Sequence, residues 1–349
     1  MKSKSFVITT ISLMLAALIS IGCINIIIDP LFQYHKPWFG LEPAITNERY
    51  QNAGIAKNFD FDNVIIGNSL SQNFKPSDFN KGFGGTTVKL TAAGSHTIDW
   101  TYILYILKSK EKKPSNIVFN IDPYIFDTSA TDMKHDLPIY LYDENLFNDV
   151  NYLFNFSILK DYTFKSLRLN YDNEIPDYDT AFVWNDEVGS GKEFVLSHYV
   201  RPEVATEIPD INSAVELAVE NLNNLIPYIE QMKETEFLFY FSPFSMLYWD
   251  SQIRTNKAEM WKTVYTEVCD LLLDYENVNV FLWNDIAMLE SMSDLDNYTD
   301  DAHYSPVVSS DIAKRICTRN GILTVENYIS EIEILFNYIN SFDYEMLFK

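Results

Sequence analysis

Cysteine is scarce in this 349-residue chain: there are three, and none stands in a cluster with histidine. A disulfide framework is therefore excluded, and no set of ligands has the spacing of a structural zinc site. Cys23 lies in an apolar N-terminal run, while Cys269 and Cys317 fall on segments with helical spacing, so a bridge between those two stays open. Basic residues are also in short supply, 26 Lys and Arg against 49 Asp and Glu, for a formal net charge of −23 at pH 7. A surface of that sign repels nucleic acid and anionic head groups, so no nucleic-acid partner is expected. Of only 11 glycines, the one cluster is Gly82-Phe83-Gly84-Gly85. It lacks the spacing and the Lys of a P-loop and reads as a turn. There is no internal repeat and no low-complexity linker.

What the chain does have, first, is a long apolar run. Residues 6–28 are uncharged and mostly apolar, and at about 1.5 Å per residue they make about 34 Å of helix, enough to cross a bilayer. The run is too long for an ordinary signal-peptide core, and no Ala-x-Ala-like site follows it. Lys2 and Lys4 on the short side put the N-terminus in the cytoplasm and the bulk of the chain outside. Cys23 after Gly22 matches part of a lipoprotein cleavage site. Ser20, however, stands where a branched apolar residue is expected, and the uncharged run continues past Cys23, which favours a plain membrane anchor.

The expected organisation is an anchor at 1–28, a connecting segment at 29–56 that begins Asp29-Pro30, and one α/β domain at 57–349. With 24 Phe and 22 Tyr that domain can build a sizeable core. Apolar runs predict five strands, at 64–66, 86–90, 116–122, 236–241 and 278–283. Helical spacing predicts helices at 98–108, 211–233, 253–273, 307–319 and 325–339; in the first, Trp100, Ile103, Leu104 and Leu107 share a face. Two parallel crossovers within about 60 residues indicate a doubly wound, flavodoxin-like, five-stranded parallel sheet. Residues 124–209 break the pattern. Dense in Asp, Asn, Tyr and Phe, with apolar patches at 146–156 and 181–184, they read as an insertion over the carboxyl edge of the sheet. Its aromatics either stack on sugar rings or are ordinary core and surface residues. His135 and His198 lie there without a partner spacing, and Tyr248 and Trp249 on a later loop are candidates for the pocket wall.

Two stretches carry chemistry. Val64-Ile65-Ile66 is followed by Gly67-Asn68-Ser69, a turn that puts a serine at the carboxyl edge of a central strand, where open α/β sheets place their ligands. Alone, Ser69 reads equally as a helix cap. Far along the chain, Asp300 stands three residues before His303. A serine nucleophile needs a base, and the base needs an acceptor that fixes its tautomer. An Asp at that spacing can fold onto Nδ1 and leave Nε2 facing a serine on another loop.

In these blocks the chain resembles the SGNH (GDSL-type) hydrolase superfamily: Gly67-Asn68-Ser69 matches its first block and Asp300-x-x-His303 its last. It looks most like the membrane-anchored bacterial branch that includes proteins of lipoteichoic-acid D-alanylation and exopolysaccharide O-acetylation. The resemblance runs in scattered blocks from about residue 29 to 319 and implies catalytic Ser69, Asp300 and His303. It implies oxyanion or substrate-binding roles for Gly94, through its backbone N–H, for Asn68, and for the residue at position 122. There the chain departs from the pattern: Asn120-Ile121-Asp122-Pro123 stands where the family reads Gly-x-Asn-Asp. An ionised Asp122 would repel a developing oxyanion, so it is protonated, orients His96 or another group, faces a substrate hydroxyl, or simply caps the turn before Pro123.

Three functions follow. The first is a serine acyl-ester hydrolase or O-acyltransferase at the outer face of a bacterial cytoplasmic membrane. It would act on an acylated envelope polymer or acyl donor, without a cofactor, with a membrane-bound O-acyltransferase as a further partner. The second is a non-catalytic relative that binds a glycan or such a partner. The third, a metal-dependent hydrolase holding an ion through Asp122, Asp300, Asp301 and His303, has no recognised ligand motif. Intact Ser69, Asp300 and His303 favour the first. A C-terminal fusion to a reporter active only outside the cytoplasm should be active; an inactive fusion would reverse the assigned topology.

Overall fold

The structure is a computed structural model that describes residues 2–183 and 189–349. Met1 of the anchor and Trp184 of the 181–184 patch lie outside the described residues. The chain divides into two compact units, Met1–Asp60 with Leu137–Ala181, and Phe61–Asp136 with Phe182–Lys349.

The second unit holds a five-stranded sheet of β1 (Asn63–Ile66), β2 (Thr87–Lys89), β3 (Asn116–Ile121), β4 (Glu236–Phe241) and β5 (Val278–Phe281). The order is β2-β1-β3-β4-β5 and every pairing is parallel, which is the flavodoxin-like winding with a reversal between β1 and β3. Strands covered by helices on both faces need apolar residues throughout rather than in alternation, and Val64, Ile65 and Ile66 are all fully buried. At the centre the Phe119 ring stacks on Phe239, with centroids 5.0 Å apart, and meets Trp100 at 5.5 Å. Trp100 comes from the Thr97–Ser109 helix, which buries Ile103, Leu104 and Leu107 beside it.

Two expected helices are each broken in two. The 211–233 segment forms Ile211–Asn223 and Ile226–Gln231, because Pro227 has no N–H to continue the first helix and instead sits in the first turn of the second. The 253–273 segment is likewise two helices. Ser245 caps the earlier one, accepting from the Tyr248 N–H at 3.3 Å, so it starts at Met246 and ends at Arg254. Asn256, at φ 58°, then turns the chain into Ala258–Leu272. The last two helices run Pro306–Cys317 and Tyr328–Ser341.

In the first unit the Lys2–Ile28 helix is followed at once by a tight turn. Among the described residues one helix, Lys4–Ile28, is long and apolar enough to cross a membrane. Asp29 organises its exit. Its buried carboxylate accepts from the N–H groups of Gln33, Tyr34 and His35 at 3.0, 2.7 and 2.9 Å and from the Tyr152 hydroxyl at 2.6 Å. One turn earlier, Asn25 donates to the Leu153 carbonyl at 2.9 Å and accepts from Thr163 Oγ1 at 2.8 Å. The helix end is thus stapled to residues 149–163 by groups that a bilayer could not satisfy.

Phe119→Ala would leave a cavity between Phe239 and Trp100. Denaturant unfolding of the sheet unit should show a loss of about 3–5 kcal/mol, without loss of secondary structure in the remaining fold.

Candidate active site

The site starts with a turn that only glycine permits. A Cβ on Gly67 would collide with Asn120 Oδ1 and Ser71 Oγ, so the chain leaving β1 can pack against the end of β3 only without a side chain there. Asn68 then caps the short Ser69–Gln72 helix, its Oδ1 accepting from the Leu70 N–H at 3.0 Å. Ser69 is left half-buried at the carboxyl edge.

His303 arrives on a loop held from several sides. The Tyr298 hydroxyl donates to the Pro243 carbonyl at 2.7 Å, and Ser245 Oγ donates to the Asp301 carbonyl at 2.6 Å. Both anchors lie just beyond β4. The loop closes on itself where the Thr299 N–H reaches the His303 carbonyl at 3.0 Å. Ser69 Oγ lies 2.8 Å from His303 Nε2, and His303 Nδ1 lies 2.7 Å from Asp300 Oδ2. The second Asp300 oxygen accepts from the N–H groups of His303 and Ala302 at 2.6 and 2.8 Å. Burial opposes the Asp300 charge, but the His303 imidazole and these two amides together hold its carboxyl below the usual range. An ionised Asp300 on Nδ1 selects the tautomer in which Nε2 accepts the serine proton. Asp301 differs: burial first, and Asp300 second, push its carboxyl up.

Ser69 and His303 open into a cleft of about 490 Å³, with Gly94, His96, Tyr124 and Lys134 also on its wall. Gly94 has φ +62°, the left-handed region that favours glycine, and a Cβ there would sit 3.1 Å from His135 Nε2. Its loop is clamped to the Gly67 turn: the Ala92 N–H and Ser95 Oγ both donate to the Gly67 carbonyl at 2.9 Å. His96 is buried, with Nδ1 3.1 Å from Thr128 Oγ1.

Asp122 is not on the cleft wall. It is fully buried beneath the Gly67 turn, one oxygen accepting from Asn68 Nδ2 at 2.9 Å and from Asn120 Nδ2. The other accepts from the N–H groups of Tyr124 and Ile125 at 2.8 and 3.3 Å and so caps the Pro123–Phe126 turn. Burial pushes its carboxyl up, against the pull of those donors. Ser71 is also fully buried. Its hydroxyl donates to Asn120 Oδ1 at 3.0 Å and lies 3.1 Å from the Tyr240 hydroxyl, so it does not face the cleft with Ser69. Tyr248 and Trp249 are core residues at 4% and 1% exposure. Among the described residues no group of three or more His, Cys, Asp or Glu side chains is placed to hold a metal ion.

Two parts of the site escaped sequence reasoning. Asn120 carried a usable signal, since residues two apart on a strand share a face and Asn120 must accompany Asp122. Tyr124 and Lys134 carried none: they stand in an irregular segment without periodicity.

Comparison with protein-family models finds no match, and comparison with curated proteins finds none either. Among solved structures, the chain is similar to one described as a proposed platelet activating factor from Streptococcus pneumonia. The identity is 14% and the TM-score 0.40, over 78% of this chain and 91% of that one.

Asp122→Asn tests the buried carboxyl through its pH dependence. A raised folded-state pKa means that the folded chain binds more protons than the unfolded one, so this group's contribution to stability falls as pH rises from about 4. Urea melts across that range should show a flatter pH slope in the variant. Ser71→Ala should cost about 1–3 kcal/mol of stability and leave the reactivity of Ser69 in place.

Proposed function

We propose that this protein is a serine acyl-ester hydrolase or O-acyltransferase of the SGNH (GDSL-type) superfamily. In this reading it is anchored by its N-terminal helix with the α/β domain outside a bacterial cytoplasmic membrane. Its substrate class is an acylated cell-envelope polysaccharide or a related polymer. The observation that carries the reading is the unbroken contact from Ser69 Oγ to His303 Nε2 and from Nδ1 to Asp300.

The chemistry runs in two steps. Ser69 Oγ attacks the acyl carbonyl while Nε2 takes its proton. The oxyanion that forms is met by the Gly94 N–H on the cleft wall, while Asn68, whose backbone N–H and Nδ2 already donate to Asn120 Oδ1 and Asp122, holds the turn beside it. Collapse of the tetrahedral species expels the alcohol oxygen, which takes the proton back from His303, and leaves an acyl-serine. Water, or a hydroxyl of an acceptor polymer, then gives its proton to Nε2 and attacks the acyl carbon, and collapse of this second tetrahedral species releases Ser69, whose oxygen takes the proton back from Nε2. Asp122, which does not line the cleft, keeps Asn68 in place. A non-catalytic, glycan-binding role has no comparable observation in its favour.

A fluorophosphonate probe should modify Ser69, as located by mass spectrometry, and Ser69→Ala and His303→Ala should each abolish the labelling. Asp300→Asn should keep the fold but lower turnover by about 10⁴, while Asp301→Asn costs much less; equal losses would reverse the assignment. Because Asp300 is held below the usual carboxylate range, it stays ionised as pH falls.

A further inference from the structure

The first unit exposes a row of large apolar side chains beside the exit of its long helix. Phe147 is 91% exposed, Leu146 72%, Phe156 63% and Val150 53%. Val150 opens the one-turn helix Val150–Leu153, with Phe147 in the turn before it and Phe154 capping its end at 44% exposure. Inward-facing Asp149 and Tyr152 are buried on the other side. A solvent-exposed cluster of this kind marks a contact surface rather than a stable free face.

The long helix says what that surface meets. Residues 4–20 are exposed all round, which at about 1.5 Å per residue is only about 26 Å. A bilayer hydrocarbon core of about 30 Å needs about 20 residues, so a spanning helix that starts at Lys4 remains in apolar surroundings past Gly22. At that level the Phe154 ring already lies against it: a Cβ at position 22 would sit 2.8 Å from Phe154 Cε1. Gly22 and Asn25 are the buried positions of these last turns, and the helix packs there on residues 150–153 and 159–163. The segment that grips the helix is thus brought to the depth of the lipid.

We infer that residues 146–156 form a second membrane contact, a wedge of Leu146, Phe147, Val150, Phe154 and Phe156 that enters the outer leaflet beside the anchor. The occupant is lipid, because the row is continuous with the lipid-facing helix. Elements of this type lie in the plane of the interface, buried about 5–10 Å deep, and phenyl rings there exclude head-group water. The inference rests on the proposal that Lys4–Ile28 spans the membrane.

The test uses the full chain in phosphatidylcholine–phosphatidylglycerol vesicles. Cys23→Ser and Cys317→Ser remove the accessible thiols, and buried Cys269 is left in place. A bimane label is placed singly by Phe147→Cys, Phe156→Cys, Leu13→Cys as the spanning control, and Lys233→Cys as the aqueous control. Circular dichroism checks each fold, and the exposure of all four positions leaves the core untouched. Labels at 147 and 156 should be quenched several-fold more by spin labels high on the lipid chains than the label at 233, and should be shielded from aqueous iodide. If the label at 13 is lipid-quenched while those at 147 and 156 behave like 233, the wedge is wrong and the anchor stands. If the label at 13 is not lipid-quenched, both readings fall. Shielding at 147 and 156 that appears in native membranes but not in pure lipid would assign the face to a membrane protein and overturn the lipid occupant.

Discussion

The site depends on a buried carboxyl whose partners carry no charge. Asp122 is enclosed at the end of β3, and among the described residues only neutral donors reach its carboxylate: two side-chain amides and two backbone N–H groups. Leaving any of these unpaired would cost the full desolvation penalty of a buried polar group. The network therefore tolerates few arrangements. Asn68 must present its Nδ2 to Asp122 and its Oδ1 to the Leu70 N–H, which fixes the turn, and the turn fixes Ser69. A polar ladder continues below through Asn120, Ser71, Tyr240 and Tyr304. Tyr304 directly follows His303, so the layer under the proposed nucleophile is continuous with the layer under its base.

That arrangement explains how two loops more than two hundred residues apart meet within hydrogen-bonding distance. In a parallel sheet every strand delivers its following loop to the same edge. Sheet geometry puts the ends of β1 and β5 on that edge, but β3 and β4 lie between them, about 14 Å across. The remaining precision comes from local clamps: Gly67 lets β1 approach β3, Ser95 ties the Gly94 loop to the Gly67 carbonyl, and Ser245 ties the Asp301 carbonyl to the end of β4. Each is a side chain or backbone group with one partner at short range, so the scaffold is held by specific hydrogen bonds over an apolar floor of Val64, Phe119 and Phe239.

The first unit solves a different problem with similar means. A membrane-length helix normally ends in a flexible linker, but here Asn25 and Asp29 draw carbonyls, amides and hydroxyls from residues 33–35 and 152–163 around its last turn. Buried polar groups fully satisfied in this way lock a direction. The Asp29-Pro30 pair that looked like the start of a connecting segment is the hub of that lock.

The sequence alone was enough for whatever depends on local pattern. Five buried strands and the helices between them follow from apolar runs, because a strand covered on both faces must be apolar throughout. The spacing of Asp300 and His303 follows from the reach of one loop. The length of the N-terminal helix follows from its uncharged run. Helix interruptions at Pro227 and Asn256 were legible only in part, since a proline can equally start a helix or stop one. The tertiary structure decided what depends on partners distant in sequence. It placed Asp122 beneath the turn instead of on the cleft wall, turned Ser71 into the core, and brought Tyr124 and Lys134 to the cleft. It also set Phe154 against Gly22. In each case the outcome is chosen by which buried polar or apolar group finds a complement across the fold, and a linear pattern carries no record of that pairing.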